Sequence, residues 1–424
     1  MQQLVTAANG VPVYSYRQPH LHTFTIGLYV RAGVLYEHPE ETGITHFLEH
    51  VLFRNLGGMP QRELYERLAA MGASFDACTY KEFMEYTISA ASHHFDECAE
   101  LIARLLAPLS VNTRDVAVER KRVQNEIRED DPLKSFDHFA GNLVWGGTAL
   151  SRPISGTVTG VAALGLEQLQ AAWVESFQAN NLCFYVTGNF TDENLAHLAG
   201  HAGVYSIGQG GGERRNVAPV PKDFMRRNCL VAVQDRKDMP EVLLTFDVDY
   251  TRYSMAEINL LDELLFRGML SRMSMALSED RGLIYSHSAY LEQYRNIGTC
   301  SVKYSVMLSK LEESLKVAAN VFRSAKETIT ERELALHRPK YADNYAYTLD
   351  DPDDLNWNMA YHNFILNDRL ESIAQIRGLY AAVTAERLME ISREIFRPEN
   401  LVVAVRAKKG KCKRDLIRDI FLAL

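Results

Sequence analysis

The apolar positions of this chain follow two periods, one typical of helices and one typical of strands. Residues 95–106 and 311–322 carry apolar side chains at i, i+3, i+4 and i+7, and this spacing predicts two amphipathic helices. Residues 181–188 and 400–406 are short and almost continuously apolar, which predicts two buried strands. Strands that alternate with long helices in this order indicate an α+β sandwich.

The second half of the chain repeats the pattern of the first. Glu49-His50-Val-Leu-Phe53 is matched, 213 positions later, by Asp262-Glu263-Leu-Leu-Phe266. After each stretch come a mixed polar and apolar helix, a glycine, a run rich in Tyr and Thr, and an amphipathic helix. A chance likeness between two α+β segments is the alternative, but repetition at one fixed offset favours two duplicated halves.

A glycine-rich break separates these halves. Residues 208–216 read Gly-Gln-Gly-Gly-Gly-Glu-Arg-Arg-Asn and are followed by Val-Ala-Pro-Val-Pro, a composition typical of linkers. We therefore predict a first half over residues 1–207, a linker over 208–221 and a second half over 222–424. The linker is also the expected hinge.

Composition and charge narrow the class of protein. In 424 residues, 47% hydrophobic and 24% charged positions exclude collagen-like, disordered and disulfide-scaffold chains. A net charge of -8 argues against nucleic acid or an anionic membrane as the main partner. The six cysteines show no CxxC spacing, which favours a reducing compartment. Without a signal-peptide pattern or a long apolar run, we expect a cytoplasmic protein, with leaderless export as the alternative.

A pair of histidines suggests a metal site. His46 and His50 lie four apart in residues 43–53, which we predict to be a helix, so their imidazoles share one face and can bind one cation. Imidazole suits Zn²⁺, and Glu49 beside the second histidine can take the proton of the attacking water. The order His-x-x-Glu-His is the inverzincin signature. A chance match somewhere in the chain, on the order of 2%, is the alternative.

A catalytic zinc site needs a third protein ligand. Residues 111–127 are predicted to form a helix with Thr113 as its cap. Glu119 and Glu126 lie seven apart, two turns along this helix, and therefore on one face. We predict Glu126 as the third ligand and Glu119 as a neighbour that orients a ligand or tunes the charge of the site. A solvated helix face is the alternative explanation for either glutamate.

These residues resemble those of the M16 metallopeptidases, the family of insulin-degrading enzyme, pitrilysin and mitochondrial processing peptidase. That family carries His-x-x-Glu-His followed by a distant glutamate, and Glu126 lies 76 residues after His50, as its pattern requires. The resemblance also runs through Asn9-Gly-Val-Pro-Val13, Arg31-Ala-Gly33 and Ser155-Gly-Thr-Val158, and it covers nearly the whole chain. The chain is most similar to the short bacterial subunits of the family.

The resemblance implies a fold and a set of roles. The fold would be two α/β-sandwich halves of the LuxS/MPP-like metallohydrolase type. His46, His50 and Glu126 would bind zinc, Glu49 would be the general base, and Glu119 would lie beside the ligands and act with the catalytic residues.

The resemblance also implies a strand that takes the substrate. Residues 72–79 match the family's Gly-x-x-Asn-Ala-x-Thr strand loosely, with one extra residue before the acidic position. In the family, the edge of this strand takes the substrate peptide as an added strand. The expected substrate-binding residues are Ala73, Ser74, Phe75, Asp76 and Ala77. Asp76 stands where the family usually has Asn. This carboxylate either alters which peptides are tolerated or is an ordinary charged side chain on an edge strand.

The second half lacks the metal ligands. The positions that correspond to His46, Glu49, His50 and Glu126 hold Asn259, Asp262, Glu263 and Pro339. We expect no metal site in this half.

The family's second half instead contributes an arginine and a tyrosine, seven apart, that hold the substrate and steady the tetrahedral intermediate. Here Tyr285 is kept, but Ser278 stands at the arginine position. Substitution by Arg281 or Arg272 is the alternative, but Arg281 is three residues out of register, and we expect each of them to face solvent. Loss of one donor aimed at a developing oxyanion typically costs about 10² to 10³ in rate.

The broken pair leaves two expectations about partners. In the first, this chain is the metal-bearing subunit of a heterodimer whose partner supplies the arginine and tyrosine. In the second, it forms a homodimer in which Tyr285 acts alone. We favour the heterodimer.

The expected function is that of a zinc-dependent endopeptidase that cleaves short or unfolded peptides inside a clam-shell chamber. One alternative is a processing protease specific for the leader of one ribosomally made peptide. Another is a non-catalytic assembly subunit, because the M16 fold also serves as a scaffold among the respiratory core proteins of mitochondria. The intact zinc motif weighs against this last alternative.

Overall fold

The computed structural model describes residues 2–129, 134–208, 228–236, 239–366 and 373–424. The chain forms two compact units that are not contiguous in sequence, because each contains a segment from the other half. The first unit comprises Met1–Pro132, Arg152–Val217 and Ala346–Leu370. The second comprises Leu133–Ser151, Ala218–Tyr345 and Glu371–Leu424.

The strands and helices are named in chain order. The strands are β1 Gln2–Thr6, β2 Pro12–Arg17, β3 Thr23–Val30, β4 Asn55–Leu56, β5 Met59–Pro60, β6 Ser74–Thr79, β7 Met84–Ala91, β8 Leu182–Gly188, β9 Leu230–Asp235, β10 Glu241–Asp249, β11 His287–Gln293, β12 Ile297–Ser305 and β13 Leu401–Ala407. The helices are α1 Ile44–Leu52, α2 Gln61–Met71, α3 Phe95–Ala103, α4 Thr113–Glu129, α5 Phe136–Trp145, α6 Val158–Ala163, α7 Leu166–Ser176, α8 Asp192–Gly203, α9 Met255–Phe266, α10 Arg272–Ser274, α11 Leu311–Ala325, α12 Glu331–Asp350, α13 Pro352–Ala360, α14 Ile373–Ala382, α15 Ala385–Ile395 and α16 Arg414–Phe421.

The sheet of the first unit has six strands in the order β1-β2-β8-β3-β7-β6. The pair β2 and β8 is parallel, and the other neighbours are antiparallel. The central strand β3 is buried along seven of its eight residues, as expected of a strand with both faces covered. Among the described strands, β6 pairs with β7 alone and forms one edge of the sheet.

The sheet of the second unit has five strands in the order β11-β12-β10-β13-β9. It repeats the arrangement β6-β7-β3-β8-β2 of the first sheet, including one parallel pair at the same place, here β13 with β9. Each unit has its own apolar core, and in the second unit Phe246, Phe322 and Phe396 pack ring against ring. The predicted α+β class and the duplication are confirmed.

The two halves exchange one helix each. Helix α13 comes from the second half of the sequence but packs against β3 and β8 of the first unit. Helix α5 comes from the first half and packs against β9 and β13 of the second unit. Periodicity did not predict this exchange, because it depends on long-range packing of helices that look ordinary in sequence.

The predicted local elements are present with small shifts. The helix expected over 95–106 is α3 followed by a 3-10 turn at Arg104–Leu106, and the helix expected over 311–322 is α11. The expected strands are β8 and β13. Apart from Gly208, the predicted linker lies outside the described residues, and the boundary at 208–221 stays a prediction. Among the described helices, none is both long and apolar enough to cross a membrane.

Candidate metal centre

Helix α1 presents His46, Glu49 and His50 on neighbouring positions, and its first turn is fixed by a buried carboxylate. Glu37 accepts a hydrogen bond from the Gly43 N–H at 2.9 Å and another from the Thr45 N–H at 3.0 Å. These are backbone donors that a helix start leaves without intrahelical partners. The anion is also favoured there by the helix dipole. Glu37 therefore sets where α1 begins.

Gly43, just before α1, has no room for a side chain. Its φ is +97°, and a Cβ there would lie 2.8 Å from the Gly156 Cα and from the Ser155 carbonyl oxygen. The tight approach of the 155–156 loop thus needs glycine. It holds the start of α1 against the rest of the first unit.

Helix α4 carries Glu119 and Glu126 on the face that meets α1. Thr113 was predicted to cap this helix, and that prediction is wrong. Thr113 is the first helical residue, and the side chain of Asn112 instead accepts a hydrogen bond from the Asp115 N–H at 2.9 Å. Asn and Thr are both good caps, and sequence alone did not separate two neighbouring candidates.

The structure brings His46, His50 and Glu126 together. Glu126 Oε1 lies 3.5 Å from His46 Nε2, and Glu126 Oε2 lies 3.4 Å from His50 Nε2. One ligand atom from each of the three residues lies within 4.8 Å of the other two. Among the described residues, this is the one group of three or more such side chains arranged in this way.

This donor set fits a zinc ion. Two imidazole nitrogens and one carboxylate oxygen are ligands that zinc takes in catalytic sites, with a fourth position left open. Ligand atoms bonded at about 2.0–2.1 Å around a tetrahedral ion lie roughly 3.3 Å apart. The two N···O distances of 3.4 and 3.5 Å are close to that separation and too long for good hydrogen bonds.

The electrostatics of the two histidines also suit a cation. Burial, with a smaller effect of the neighbouring His50, lowers the pKa of His46 to about 4, so its imidazole is neutral and free to bind a metal. Burial lowers the pKa of His50 too, but the contact with the Glu119 carboxylate and the charges of Glu49, Glu126 and Glu119 outweigh it and raise that pKa. Negative charge is therefore concentrated where a cation would be bound.

Glu119 lies behind His50 rather than among the three donors. Its side chain is 1% exposed, and its Oε2 is 3.5 Å from His50 Nδ1, the nitrogen that faces away from Glu126. Arg54 and Arg122 neutralise it, with Nη1 atoms 3.5 and 3.2 Å from Oε1. A carboxylate on the second nitrogen of a metal-binding histidine sets the orientation and basicity of that ring.

Glu49 is held by a residue that sequence reasoning did not single out as a functional group. The Thr79 hydroxyl donates a hydrogen bond to Glu49 Oε2. Burial raises the pKa of Glu49, and the charge of Glu126 raises it further, although the Thr79 hydrogen bond and His50 act in the opposite direction. Strand periodicity could have suggested Thr79, because it lies on the same face of β6 as Phe75 and Ala77.

The predicted substrate strand is an edge strand. Of residues 73–77, Ser74 to Ala77 lie in β6, and Ala73 immediately precedes it. On one side β6 pairs with β7, with Asp76 opposite Thr87. Asp76 is on the exposed face, where the Ser74 hydroxyl donates a hydrogen bond to it. The other side of β6 has no strand partner among the described residues, which leaves backbone groups available for an added strand.

Comparison with known families decides the affiliation. Residues 13–157 match the family model described as insulinase (peptidase family M16), and residues 163–340 match the one described as the peptidase M16 inactive domain. The chain belongs to peptidase family M16. The resemblance inferred from the sequence is thereby confirmed.

Relatives of this M16 chain are described as zinc proteases. An uncharacterised zinc protease of Bacillus subtilis (strain 168) is 22% identical over 410 residues, covering 96% of this chain and 98% of the relative. One from Mycobacterium leprae (strain TN) is 28% identical over 340 residues, covering 77% and 74%. Among solved structures, a chain of complex III from Candida albicans shares the fold, with a TM-score of 0.81 at 15% identity over 99% of each chain.

In the second M16 half, ion pairs occupy the positions that correspond to the metal centre. Lys340, next to Pro339 on α12, places its Nζ 2.6 Å from Glu263 Oε2. Arg267 donates to the buried Asp262 carboxylate through its Nε. The pKa of Asp262 is raised to about 6 because burial outweighs the effect of Arg267. Side-chain cations therefore neutralise these carboxylates.

The tyrosine kept from the family pattern is fully open to solvent. Tyr285 is 99% exposed and lies with Ser278 on the wall of one cavity of about 510 Å³.

Arg281 is exposed as expected and donates to the Ala276 carbonyl at 2.9 Å. The expectation that Arg272 faces solvent is wrong. It is 15% exposed because Glu333 binds its Nε and Nη2 at 2.7 and 2.6 Å.

Proposed function

We propose that this chain is a zinc-dependent endopeptidase. The observation that carries the proposal is the approach of Glu126 to both His46 and His50, with Glu49 on the same helix turn and held by Thr79. The description of its M16 relatives as zinc proteases supports the same conclusion. His46, His50 and Glu126 would hold the metal, and Glu49 would be the general base.

The chemistry of the site divides between the metal and the protein. When bound, Zn²⁺ polarises the scissile carbonyl and lowers the pKa of a nearby water. Glu49 has one carboxylate oxygen engaged by Thr79 and uses the other to take the proton of the attacking water. It then gives that proton to the leaving amine. The raised pKa of Glu49 brings it closer to working pH, where proton transfer in both directions is efficient.

The substrate class follows from the edge strand β6. A peptide that adds to this edge must present its own backbone N–H and C=O groups in extended form. A folded protein has these groups occupied, so the proposed substrates are short or unfolded peptides. Enclosure of the peptide in a clam-shell chamber is part of the proposal.

A dimer is also part of the proposal. Since Ser278 replaces the family's arginine, we propose a partner subunit that supplies an arginine and a tyrosine. A homodimer in which Tyr285 acts alone is the alternative arrangement. The cytoplasm is the proposed location.

The test is cleavage by the purified, zinc-loaded chain alone. An unstructured peptide mixture is incubated with it and the products are read by mass spectrometry, with Glu49→Gln as the blank. Cleavage absent from the blank supports the homodimer. No cleavage with zinc bound contradicts the homodimer and directs the search to a partner, whose addition should restore activity. Failure to bind zinc contradicts the proposed function itself.

One other function has an observation in its favour. The likeness to a complex III chain, and the description of the second family model as an inactive domain, fit a non-catalytic assembly subunit. That function does not need a general base. A cell whose chain carries Glu49→Gln and keeps its normal phenotype would support it, whereas loss of the phenotype supports catalysis.

A further inference from the structure

The second unit contains a cavity of about 510 Å³ that the metal chemistry does not use. It lies between the C-terminal end of α9, the start of β11 and helix α12. Its wall includes Arg267, Lys340, Ser278 and His287, and Met269 and Tyr285 stand at its rim, both strongly exposed. All of these residues belong to the second unit.

The cavity offers more hydrogen-bond donors than the protein satisfies. Arg267 donates to Asp262 through its Nε. Within the described residues its two terminal amino groups have no acceptor, and the side chain is 39% exposed. Lys340 makes one ion pair, to Glu263, and is 45% exposed. The hydroxyl of Tyr285 points to solvent.

The two cations, and not their paired carboxylates, line the cavity. The counter-ions Asp262 and Glu263 are buried behind the two cations, whereas Arg267 and Lys340 reach the cavity surface. Glu279 is the one carboxylate among the described residues of the cavity wall, and it is exposed. The charged groups in the wall are thus two cations, which favour an anion, and one carboxylate.

We propose that this cavity binds the carboxylate of a peptide, with Arg267 as the main contact. The planar guanidinium presents paired N–H groups that match the two oxygens of a carboxylate, and Lys340 adds a point charge. The apolar rim formed by Met269 and Tyr285 suits the side chain that precedes the carboxylate. Ser278, which lines the same cavity, is small and occupies little of its space. The choice of a peptide as ligand rests on the proposed function.

The test measures binding, not cleavage. A fluorescein-labelled unstructured peptide is prepared with a free C-terminal carboxylate and with an amidated C-terminus, and fluorescence polarisation is followed on the Glu49→Gln chain. We expect amidation to weaken binding about tenfold, the factor that one charge-assisted contact supplies. A third peptide, amidated but ending in Asp, separates the terminal carboxylate from a side-chain carboxylate.

Variants identify the contact. In Arg267→Gln the preference for the free acid should disappear, and in Arg281→Gln, a matched exposed arginine outside the cavity, it should persist. Because Arg267 also pairs with Asp262, folding is checked by thermal unfolding. Arg267→Lys keeps the positive charge but removes the paired N–H groups of the guanidinium, so the preference for the free acid should be reduced. Lys340→Gln leaves Arg267 in place but removes the second cation, so the preference should be reduced there too.

Three outcomes would overturn the proposal. They are equal binding of the acid and the amide by the parent chain, an unchanged preference in folded Arg267 variants, and loss of the preference in Arg281→Gln. Failure of the parent chain to bind zinc would contradict the proposed function but leaves this binding measurement unaffected.

Discussion

At the scale of single residues, the Thr79 hydroxyl decides how Glu49 is presented. A buried carboxylate can turn about its last torsion, and a hydrogen bond to one oxygen restricts that turning. The other oxygen then faces a defined direction. Thr79 sits at the end of β6, so the proposed general base is oriented by the same strand that is proposed to take the substrate.

Thr79→Val should lower kcat about tenfold or more and leave KM nearly unchanged. Valine keeps the shape of threonine but removes the hydroxyl, and a misplaced catalytic group can cost up to about 100-fold. Thr79→Ser should keep most of the activity, because its hydroxyl is retained. Steady-state peptide cleavage measures both constants. A Val variant with full kcat would mean that Thr79 does not position Glu49.

At the scale of elements, helix α13 is attached to the first sheet through buried polar contacts. Asn356 donates to the Thr25 carbonyl at 3.2 Å and to the Tyr185 carbonyl at 2.9 Å, and it accepts from the Tyr29 hydroxyl at 2.9 Å. Gly27 of β3 leaves the space for this amide. A Cβ at Gly27 would lie 2.4 Å from Asn356 Oδ1.

Gly27→Ala should therefore destabilise the protein by about 1–3 kcal/mol, the usual effect of overpacking. The matched control is Gly141→Ala in α5, where a Cβ meets nothing within 4 Å. That change should be neutral or stabilising by up to about 1 kcal/mol, because alanine favours helix. Urea unfolding of both variants measures the difference. Equal stability of the two variants would contradict the tight fit around Asn356.

An ion-pair cluster ties α2 to α3 and gives a pH dependence. Arg67 and Arg104 place Nη2 atoms 2.6 Å from Glu100, and these contacts, Arg67 first, lower the pKa of Glu100 to about 2. An acid with a depressed folded pKa stabilises the fold above its unfolded pKa of about 4.5 and loses this effect as pH falls towards 2.

Glu100→Gln should thus cost about 1 kcal/mol at pH 7, a value reduced for solvent screening because the cluster is partly exposed. The cost should shrink below about pH 4.5 and vanish near pH 2. Glu97→Gln, on the same helix and more exposed, should show little change at any of these pH values. Urea midpoints at pH 7 and pH 3 provide the comparison. A constant difference between the two pH values would argue against the ion pairs as its cause.

At the scale of the whole molecule, one arrangement of strands serves two different purposes. Five strands follow the same order in both sheets and end in an equivalent edge strand, β6 in one unit and β11 in the other. In the first unit, facing helices bring two imidazoles and a carboxylate together. In the second, the equivalent helices bring carboxylates to Lys340 and Arg267. A few substitutions thus separate a candidate metal centre from a set of ion pairs.

Zinc should raise the melting temperature of the purified chain. Any ligand that binds only the folded state stabilises it, by about 2.7 kcal/mol at 100 times its Kd. His50→Ala removes one donor and should abolish the shift, whereas His197→Ala, an exposed histidine paired with Asp96, should keep it. Differential scanning calorimetry with and without zinc measures the effect. A shift that survives in His50→Ala would place the zinc elsewhere.

The periodicity of the chain and the spacing of its polar residues predicted much of this molecule. The class of the fold, its duplication, helix α1 and the choice of the three donor residues were inferred, because local spacing sets which residues share a helix face. The convergence of those donors depends on how α1 and α4 pack. The cap at Asn112 was missed because the neighbouring Thr113 is an equally good candidate. The pairing of Arg272 with Glu333 was missed because the two residues lie 61 positions apart.

The sequence by itself determined which chemical groups are present and on which face of each element they lie. Only the tertiary structure decided which faces meet. It placed Thr79 on Glu49 and Glu119 behind His50, and it exchanged α5 and α13 between the units. The physical reason is that the side-chain period, two residues in a strand and 3.6 in a helix, determines only which residues share a face of one element. Contacts between elements depend on the packing of surfaces that are far apart in the chain.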